Sequence, residues 1–198
     1  GQIYESNSYG LHALLQKIGC EPIIHPIVED SIEGLRTALN SCDCDLILTS
    51  GGVSMGERDF VRILMEMEGE IHFWKVSMRP GGPPIFGKWK NTPLFGLPGN
   101  PVSSHVVFHT IVVPWLNPQN ILYKKISVRM KDSVKGAPGK VCLRRIQITP
   151  EGGELTATTH THQGSGNIHS LVAHNGLTLL PPDTDSNIGD VIDALWLI

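Results

Sequence analysis

The sequence predicts an α/β domain with a mostly parallel sheet, followed by a small all-β barrel or sandwich. Three observations carry that prediction. Amphipathic helical stripes alternate with short apolar runs as far as Asn117. Two of the runs, Leu46-Ile47-Leu48 and Leu94-Phe95, break into glycine-rich loops that lead into further helical patterns: Thr49-Ser50-Gly51-Gly52-Val53-Ser54-Met55-Gly56-Glu57-Arg58-Asp59 and Gly96-Leu97-Pro98-Gly99-Asn100-Pro101-Val102-Ser103. Beyond Asn117 the helical period stops, and short β-prone runs parted by Gly and Pro clusters replace it.

Ser6 or Asn7 can cap a first helix whose apolar residues Leu11, Leu14, Leu15 and Ile18 fall on one face, and Gly19 can close it. Pro22-Ile23-Ile24 reads as a short strand. Asp30-Ser31 then starts a second helix with Ile32, Leu35, Ala38 and Leu39 along one side. Residues 45–49 have the character of a buried parallel strand, and the first glycine loop carries it into a helix striped by Phe60, Ile63, Leu64 and Met67. Residues 71–73 begin another strand. Residues 84–87 and 94–97 pair as a hairpin across a polar turn, which adds an antiparallel member to the sheet. Asn100 caps the next helix with Pro101 in its first position, where a missing N–H costs nothing, and Val102, Val106 and Val107 carry it on to Pro114. The strands of the barrel or sandwich are expected at 126–130, 141–148, 155–161, 177–180 and 191–198. The expected domains are 1–117 and 118–198.

With 198 residues, 40% of them hydrophobic and 18% charged, the chain has the make-up of a soluble globular protein with a sizeable core. A net charge of -3 leaves no basic footprint beyond the Lys124-Lys125 and Arg144-Arg145 pairs, so no nucleic-acid partner is expected. Cys20, Cys42, Cys44 and Cys142 form no C-x-x-C pair, no secretory pattern opens the chain and no apolar stretch approaches bilayer length, which together predict a cytoplasmic location and no membrane span. Cys42-Asp43-Cys44 could be half of a metal site, but no second pair stands at zinc-finger spacing, and buried cysteine is commonly a small apolar residue. The chain begins Gly1-Gln2-Ile3 without methionine and reads as a piece of a longer polypeptide cut at a domain boundary.

In an open α/β sheet, strand-loop-helix junctions lie at the carboxyl edge. There glycines let the backbone approach a ligand, and the free N–H groups of a helix start favour an anion. Two such junctions in one domain are expected to share a pocket for a phosphate. Asp59 stands where the first loop enters its helix, Glu57 two residues earlier, and Asp30 at the equivalent position one unit before. Carboxylates so placed can hold a hard cation such as Mg²⁺ beside a phosphate, or can cap the helix; the residues alone leave both open. Lys75 and Arg79 lead into the rigid stretch Arg79-Pro80-Gly81-Gly82-Pro83-Pro84, either as anion ligands or as solvated surface cations. His160 and His162 would share one face of a strand, but their spacing identifies no third metal ligand. Ser165, in Gln163-Gly164-Ser165-Gly166, lacks the spacing of a hydrolase elbow and reads as a turn serine.

Taken together, TSGGVSMGERDF (49–60), FWKVSMRPGGP (73–83) and FGLPGNPVS (95–103) resemble the molybdopterin molybdenumtransferase family, the MoeA proteins of bacteria and the E domains of plant and animal homologues including gephyrin. GQIYESN (1–7), THQGSG (161–166) and HNGL (174–177) support the resemblance in the family's order. It implies a three-layer α/β/α molybdopterin-binding domain followed by a C-terminal β-barrel, the family's third and fourth domains. It implies insertion of molybdate into adenylylated molybdopterin with release of AMP, assisted by Mg²⁺ or another divalent cation, in a homodimer of the full-length protein. It also implies roles. Asp59 matches the catalytic, metal-associated aspartate, with Glu57 beside it, and Asp30 and Lys75 match further catalytic positions. Ser50, Gly51, Gly52, Ser54, Gly56, Pro98, Gly99, Asn100 and Pro101 fall on the substrate-binding loops. Arg79, Arg145 and Ser165 correspond to residues associated with the oxyanion.

The chain departs from the family in two ways. The usual M-K-P-G-K-P reads Met78-Arg79-Pro80-Gly81-Gly82-Pro83, so that one lysine is an arginine, which keeps the charge and adds a planar fork, while the other is a glycine, which supplies none. Family members also carry two domains ahead of the point where this chain starts, and a second protomer completes their active site, so the fragment alone is expected to fold and to be inactive. The rival expectation is a non-catalytic molybdopterin-binding scaffold acting through partners, as gephyrin does. The joint presence of Asp30, Asp59, Lys75, Arg145 and Ser165, for which a scaffold has no chemical need, favours the enzyme. A nucleotide-binding domain of other chemistry is disfavoured by the lack of a Walker or dinucleotide glycine pattern.

Overall fold

Gly19 ends the first helix, α1 (Asn7–Lys17), by the means its position suggests. Its φ of 86° is left-handed, and the N–H groups of Gly19 and Cys20 turn back onto the carbonyls of Gln16 and Leu15, each at 3.0 Å. The computed structural model describes residues 5–56, 59–117, 124–159, 163–164 and 169–197. After α1 come α2 (Ile32–Ser41), β1 (Ile47–Ser50), α3 (Phe60–Glu68), β2 (Glu70–Trp74), β3 (Met78–Arg79), β4 (Ile85–Trp89) and β5 (Thr92–Leu97). Three consecutive helical segments follow, α4 (Pro101–Val107), a π-helical stretch (Phe108–Val112) and α5 (Val113–Leu116). The remaining elements are β6 (Lys124–Met130), β7 (Val141–Cys142), β8 (Arg145–Glu151), β9 (Glu154–Thr159), α6 (His169–Val172), β10 (Gly176–Thr178) and β11 (Val191–Trp196). Contacts gather them into two compact units, residues up to Val76 with Pro83–Phe108, and Ser77–Gly82 with the chain from His109 onward.

The first unit holds a four-stranded sheet of order β1-β5-β4-β2. β1 runs parallel to β5, with Ile47 beside Leu94 and Ser50 beside Leu97, whereas the β5–β4 and β4–β2 ladders are antiparallel. The β4–β5 pair is the hairpin expected at 84–87 and 94–97, and it makes the sheet mixed rather than mostly parallel. The expected strand at 22–24 is also missing: Pro22 and Pro26 lack the N–H that a ladder needs, and Ile23 is 81% exposed.

Helices α2 and α3 pack together, with α3 on β2 and β4, while α1 packs on α4, which lies on β5. Strand alternation explains the core. Ile85 and Leu94 join Leu64 and Met65 of α3 in one buried cluster, and the intervening Phe86 and Phe95 stack on each other with ring centroids 4.4 Å apart. Each fully buried side chain of this size contributes roughly 1.5–3 kcal/mol relative to exposure. Side-chain caps close the starts of α2 and α4, whereas Ser6, which precedes α1, makes no side-chain cap bond, contrary to expectation. Ser31 accepts the Gly34 N–H at 3.0 Å for α2, and Asn100 accepts the Ser103 N–H at 3.3 Å for α4, whose Pro101 needs no partner.

In the second unit, strands β10-β11-β6-β9-β8 close a barrel, as the family resemblance implies, where the spacing of the β-prone runs left a barrel or a sandwich open. The run at 141–148 is divided. Its first part, β7, pairs in parallel with β3, and its second part, β8, enters the barrel beside β9 and β10. Thr178, fully buried, holds the division: its hydroxyl accepts the Arg144 N–H and donates to the Cys142 carbonyl, each at 2.8 Å. Residues 160–162, including the His160/His162 pair, lie outside the described residues. Among the described residues no helix is long and apolar enough to cross a membrane.

Candidate functional site

Parallel neighbours in register end at the same sheet edge, so β1 and β5 deliver their loops side by side. The Gly51 N–H donates to the Leu97 carbonyl at 2.8 Å. Gly51 (φ 95°) and Gly99 touch through their backbones: a Cβ built on Gly99 would lie 3.4 Å from the Gly51 Cα. Gly52 (φ 69°) turns the first loop onto α3, where its carbonyl accepts the Arg62 N–H at 3.0 Å. A side chain supplies the last tie. Asn7, the first residue of α1, donates from Nδ2 to Ser50 Oγ at 2.6 Å and to the Gly99 carbonyl at 2.9 Å. Ser50, Ser54, Gly56 and Gly99 are exposed, whereas Val53 and Pro98 are buried beneath them. The structure therefore brings Ser50, Gly51, Gly52, Pro98, Gly99, Asn100 and Pro101 to one edge.

Asp59 directly precedes α3, yet its side chain makes no cap bond to the first turn. Its carboxylate accepts the Gly56 N–H instead, and its own N–H donates to the Gly56 carbonyl at 3.2 Å, so the end of the loop closes on itself. A carboxylate held in this way fits a divalent cation that takes one or two protein oxygens and completes its shell with water and phosphate. Glu57 lies outside the described residues, among which no group of three or more His, Cys, Asp or Glu could hold a metal ion. Asp30 stands exposed just ahead of Ser31, and among the described residues no hydrogen bond or ion pair joins it to either loop.

Lys75 follows β2 in the left-handed conformation (φ 70°), unusual for a residue with a Cβ, and its N–H donates to the Pro84 carbonyl at 3.1 Å. Its ammonium lies 4.1 Å from the centroid of the Trp74 ring, and the Arg62 guanidinium lies 5.2 Å from the same ring, both within cation–π range. Trp74 Nε1 in turn donates to the Val53 carbonyl at 3.0 Å. The indole thus ties Lys75 to the first glycine loop. Sequence reasoning missed Trp74 and missed Asn7 as a loop tie. Both sit inside the stretches that carry the family resemblance, which is the one signal that could have marked them.

The second unit carries Arg79 and Arg145. Arg79 is exposed in β3, in register with Cys142, and its carbonyl accepts the Leu143 N–H at 2.8 Å. In the following turn the left-handed conformation belongs to Gly81, at φ 99°. Arg145 opens β8 and is only 2% exposed. Burial, and after it the neighbouring Arg144, push its guanidinium below the usual arginine range. The side-chain amide of Gln163, also missed in the sequence, brackets the Arg145 backbone, accepting its N–H at 3.2 Å and donating to its carbonyl at 2.9 Å. This holds residues 163–164 against β8. Ser165 lies outside the described residues. A cavity of about 430 Å³ in the same unit, lined by Ser127, Leu180, Asp190 and Asp193 among others, contains none of the expected site residues.

The model of the family described as "Probable molybdopterin binding domain" matches residues 1–118, and that of "MoeA C-terminal region (domain IV)" matches residues 127–197. A molybdopterin molybdenumtransferase of Haemophilus influenzae is 33% identical over 193 residues, which cover 91% of this chain and 46% of that protein. The gephyrin of Dictyostelium discoideum is 39% identical over 143 residues, 59% of this chain and 20% of its own. Among solved structures, a molybdenum cofactor biosynthesis protein from Pyrococcus furiosus matches with a TM-score of 0.76 at 26% identity, over 97% of this chain and 64% of that one. The chain spans about half the length of the curated transferases it matches.

Proposed function

The chain belongs to the MoeA-type molybdopterin-binding family, and on that premise we propose that it serves molybdenum cofactor biosynthesis by inserting molybdate into adenylylated molybdopterin with release of AMP. The observation that carries this reading is the edge where the two glycine loops touch, because bare backbone and an exposed Ser50 hydroxyl are what a phosphate oxygen can approach closely. The first loop, through Ser50, Gly51, Gly52, Ser54 and Gly56, and the second, through Pro98, Gly99, Asn100 and Pro101, bind the phosphate end of the pterin. Asp59, with Glu57, would hold Mg²⁺ or a like cation, which when bound neutralises charge on the phosphates.

Lys75, steadied over the Trp74 ring, supplies positive charge near the first loop, and Asp30 completes the acidic set. Arg79, Arg145 and Ser165 take the molybdate oxyanion. In a site as buried as that of Arg145, each charge-assisted hydrogen bond contributes on the order of 1.5–3 kcal/mol. Turnover belongs to the full-length protein, acting as a cytoplasmic homodimer, while this chain alone binds the pterin without converting it.

The similarity to gephyrin favours one further reading, a molybdopterin-binding scaffold that never releases AMP. Both readings require the pterin site. Titration of this chain with molybdopterin is expected to show saturable binding; the lack of it would contradict both.

A further inference from the structure

We infer that Asn7 is a positioning residue that fixes the Ser50 hydroxyl as a hydrogen-bond donor to an anionic oxygen of the ligand while it locks the second glycine loop to the first. The inference rests on the reading of this edge as a phosphate-binding site.

The chemistry of the contacts sets the direction of each hydrogen bond. A backbone carbonyl can only accept, so the atom of Asn7 that faces the Gly99 carbonyl at 2.9 Å must be the amide nitrogen. The same nitrogen lies 2.6 Å from Ser50 Oγ and gives its second hydrogen there. Ser50 Oγ is therefore an acceptor towards Asn7, and its own proton must point elsewhere. Among the described residues no acceptor receives that proton, and Ser50 is exposed at the loop edge. A hydroxyl so constrained is an oriented donor, and the group that best satisfies it is an oxygen carrying negative charge, as on a phosphate.

Asn7 itself is well placed to impose the geometry. It is 8% exposed, it lies in the first turn of α1, and α1 packs on α4, the helix that follows the second loop. One amide thus sets the spacing of the two loops and the direction of one proton. Serine or aspartate in its place would not do both. Serine offers a single hydrogen, and aspartate offers none, so that Ser50 would turn its proton onto the carboxylate and away from the ligand.

A double-mutant cycle on this chain tests the inference, with Asn7→Leu, Ser50→Ala and the pair titrated separately with molybdopterin and with inorganic pyrophosphate. Asn7→Leu is nearly isosteric and uncharged, and Asn7→Ala replaces it should the leucine variant fail to fold. If Asn7 acts through Ser50, its substitution weakens binding about tenfold when Ser50 is present, as loss of a charge-assisted hydrogen bond would, and has a clearly smaller effect once Ser50 is alanine, when only the tie to the Gly99 carbonyl is left to lose. An equal loss in both backgrounds would overturn the inference and leave Asn7 as a structural tie alone. Binding of pyrophosphate without molybdopterin would remove the pterin reading while the same cycle still decides the role of Asn7. Binding of neither would overturn both.

Discussion

An aspartate just ahead of a helix ordinarily accepts the N–H groups of the first turn, and Asp59 does not. On its residues alone the sequence favoured a cap over a cation ligand for it. The carboxylate turns back to the Gly56 N–H, so helix α3 gains no capping hydrogen bond from it. Asparagine at this position keeps an oxygen for Gly56 and removes only the charge. The Asp59→Asn variant is therefore expected to unfold in urea within about 0.5 kcal/mol of the parent, and a loss of about 1 kcal/mol or more would restore the capping role.

His105 gives a second test at this scale. It packs against Gly10, where an added Cβ would stand 2.7 Å from its Nε2, and burial pushes its pKa below the ordinary histidine value of about 6.5. The unfolded chain then binds the proton more tightly than the folded one. The stability tied to neutral His105 is fully present above the unfolded pKa and falls as the pH drops below about 6.5 towards the lowered folded value. Urea unfolding at about pH 7.5 and about pH 5.5 should show an acid loss that is smaller in His105→Gln. An unchanged loss in the variant would assign it to other groups.

Among the elements, β1 and β5 matter most, because their shared register places both loops at one edge. The two glycines that meet there are not equivalent. Gly51 needs its left-handed φ of 95°, so Gly51→Ala is expected to cost about 1–2 kcal/mol in chemical unfolding. Gly99→Ala would only place a Cβ in ordinary contact with the Gly51 Cα, 3.4 Å away, and should change stability by less than about 0.5 kcal/mol. The reverse order would mean that crowding, not the dihedral angle, governs the edge. Elements set by local chemistry were legible in advance: the glycine stop of α1, the Asn100-Pro101 start of α4, and the hairpin across a polar turn. Residues 22–24 were not, since β-propensity says nothing of whether a ladder partner exists. The division of the run at 141–148 was equally hidden, because it depends on the hydroxyl of Thr178, 36 residues from Cys142.

For the whole molecule, the order of an α/β domain and an all-β domain was readable because a change of hydrophobic period is an average over many residues. The candidate site was readable in its glycines and less so in its ties. Asn7 reaches Ser50 across 43 positions and Gly99 across 92, and Trp74 reaches Val53 across 21, distances over which no local pattern is kept. The chain spans about half the length of the curated transferases, and the proposed turnover is a test for the protein as it is naturally encoded. The most direct measurement adds molybdate to that protein loaded with adenylylated molybdopterin and follows AMP. The parent is expected to release AMP in proportion to bound pterin. Asp59→Asn should keep pterin binding and release AMP at least about a hundredfold more slowly, because a lost cation ligand acts on the reacting charge more than on the ground state. AMP release by Asp59→Asn at a rate near that of the parent would contradict the proposed role of this site.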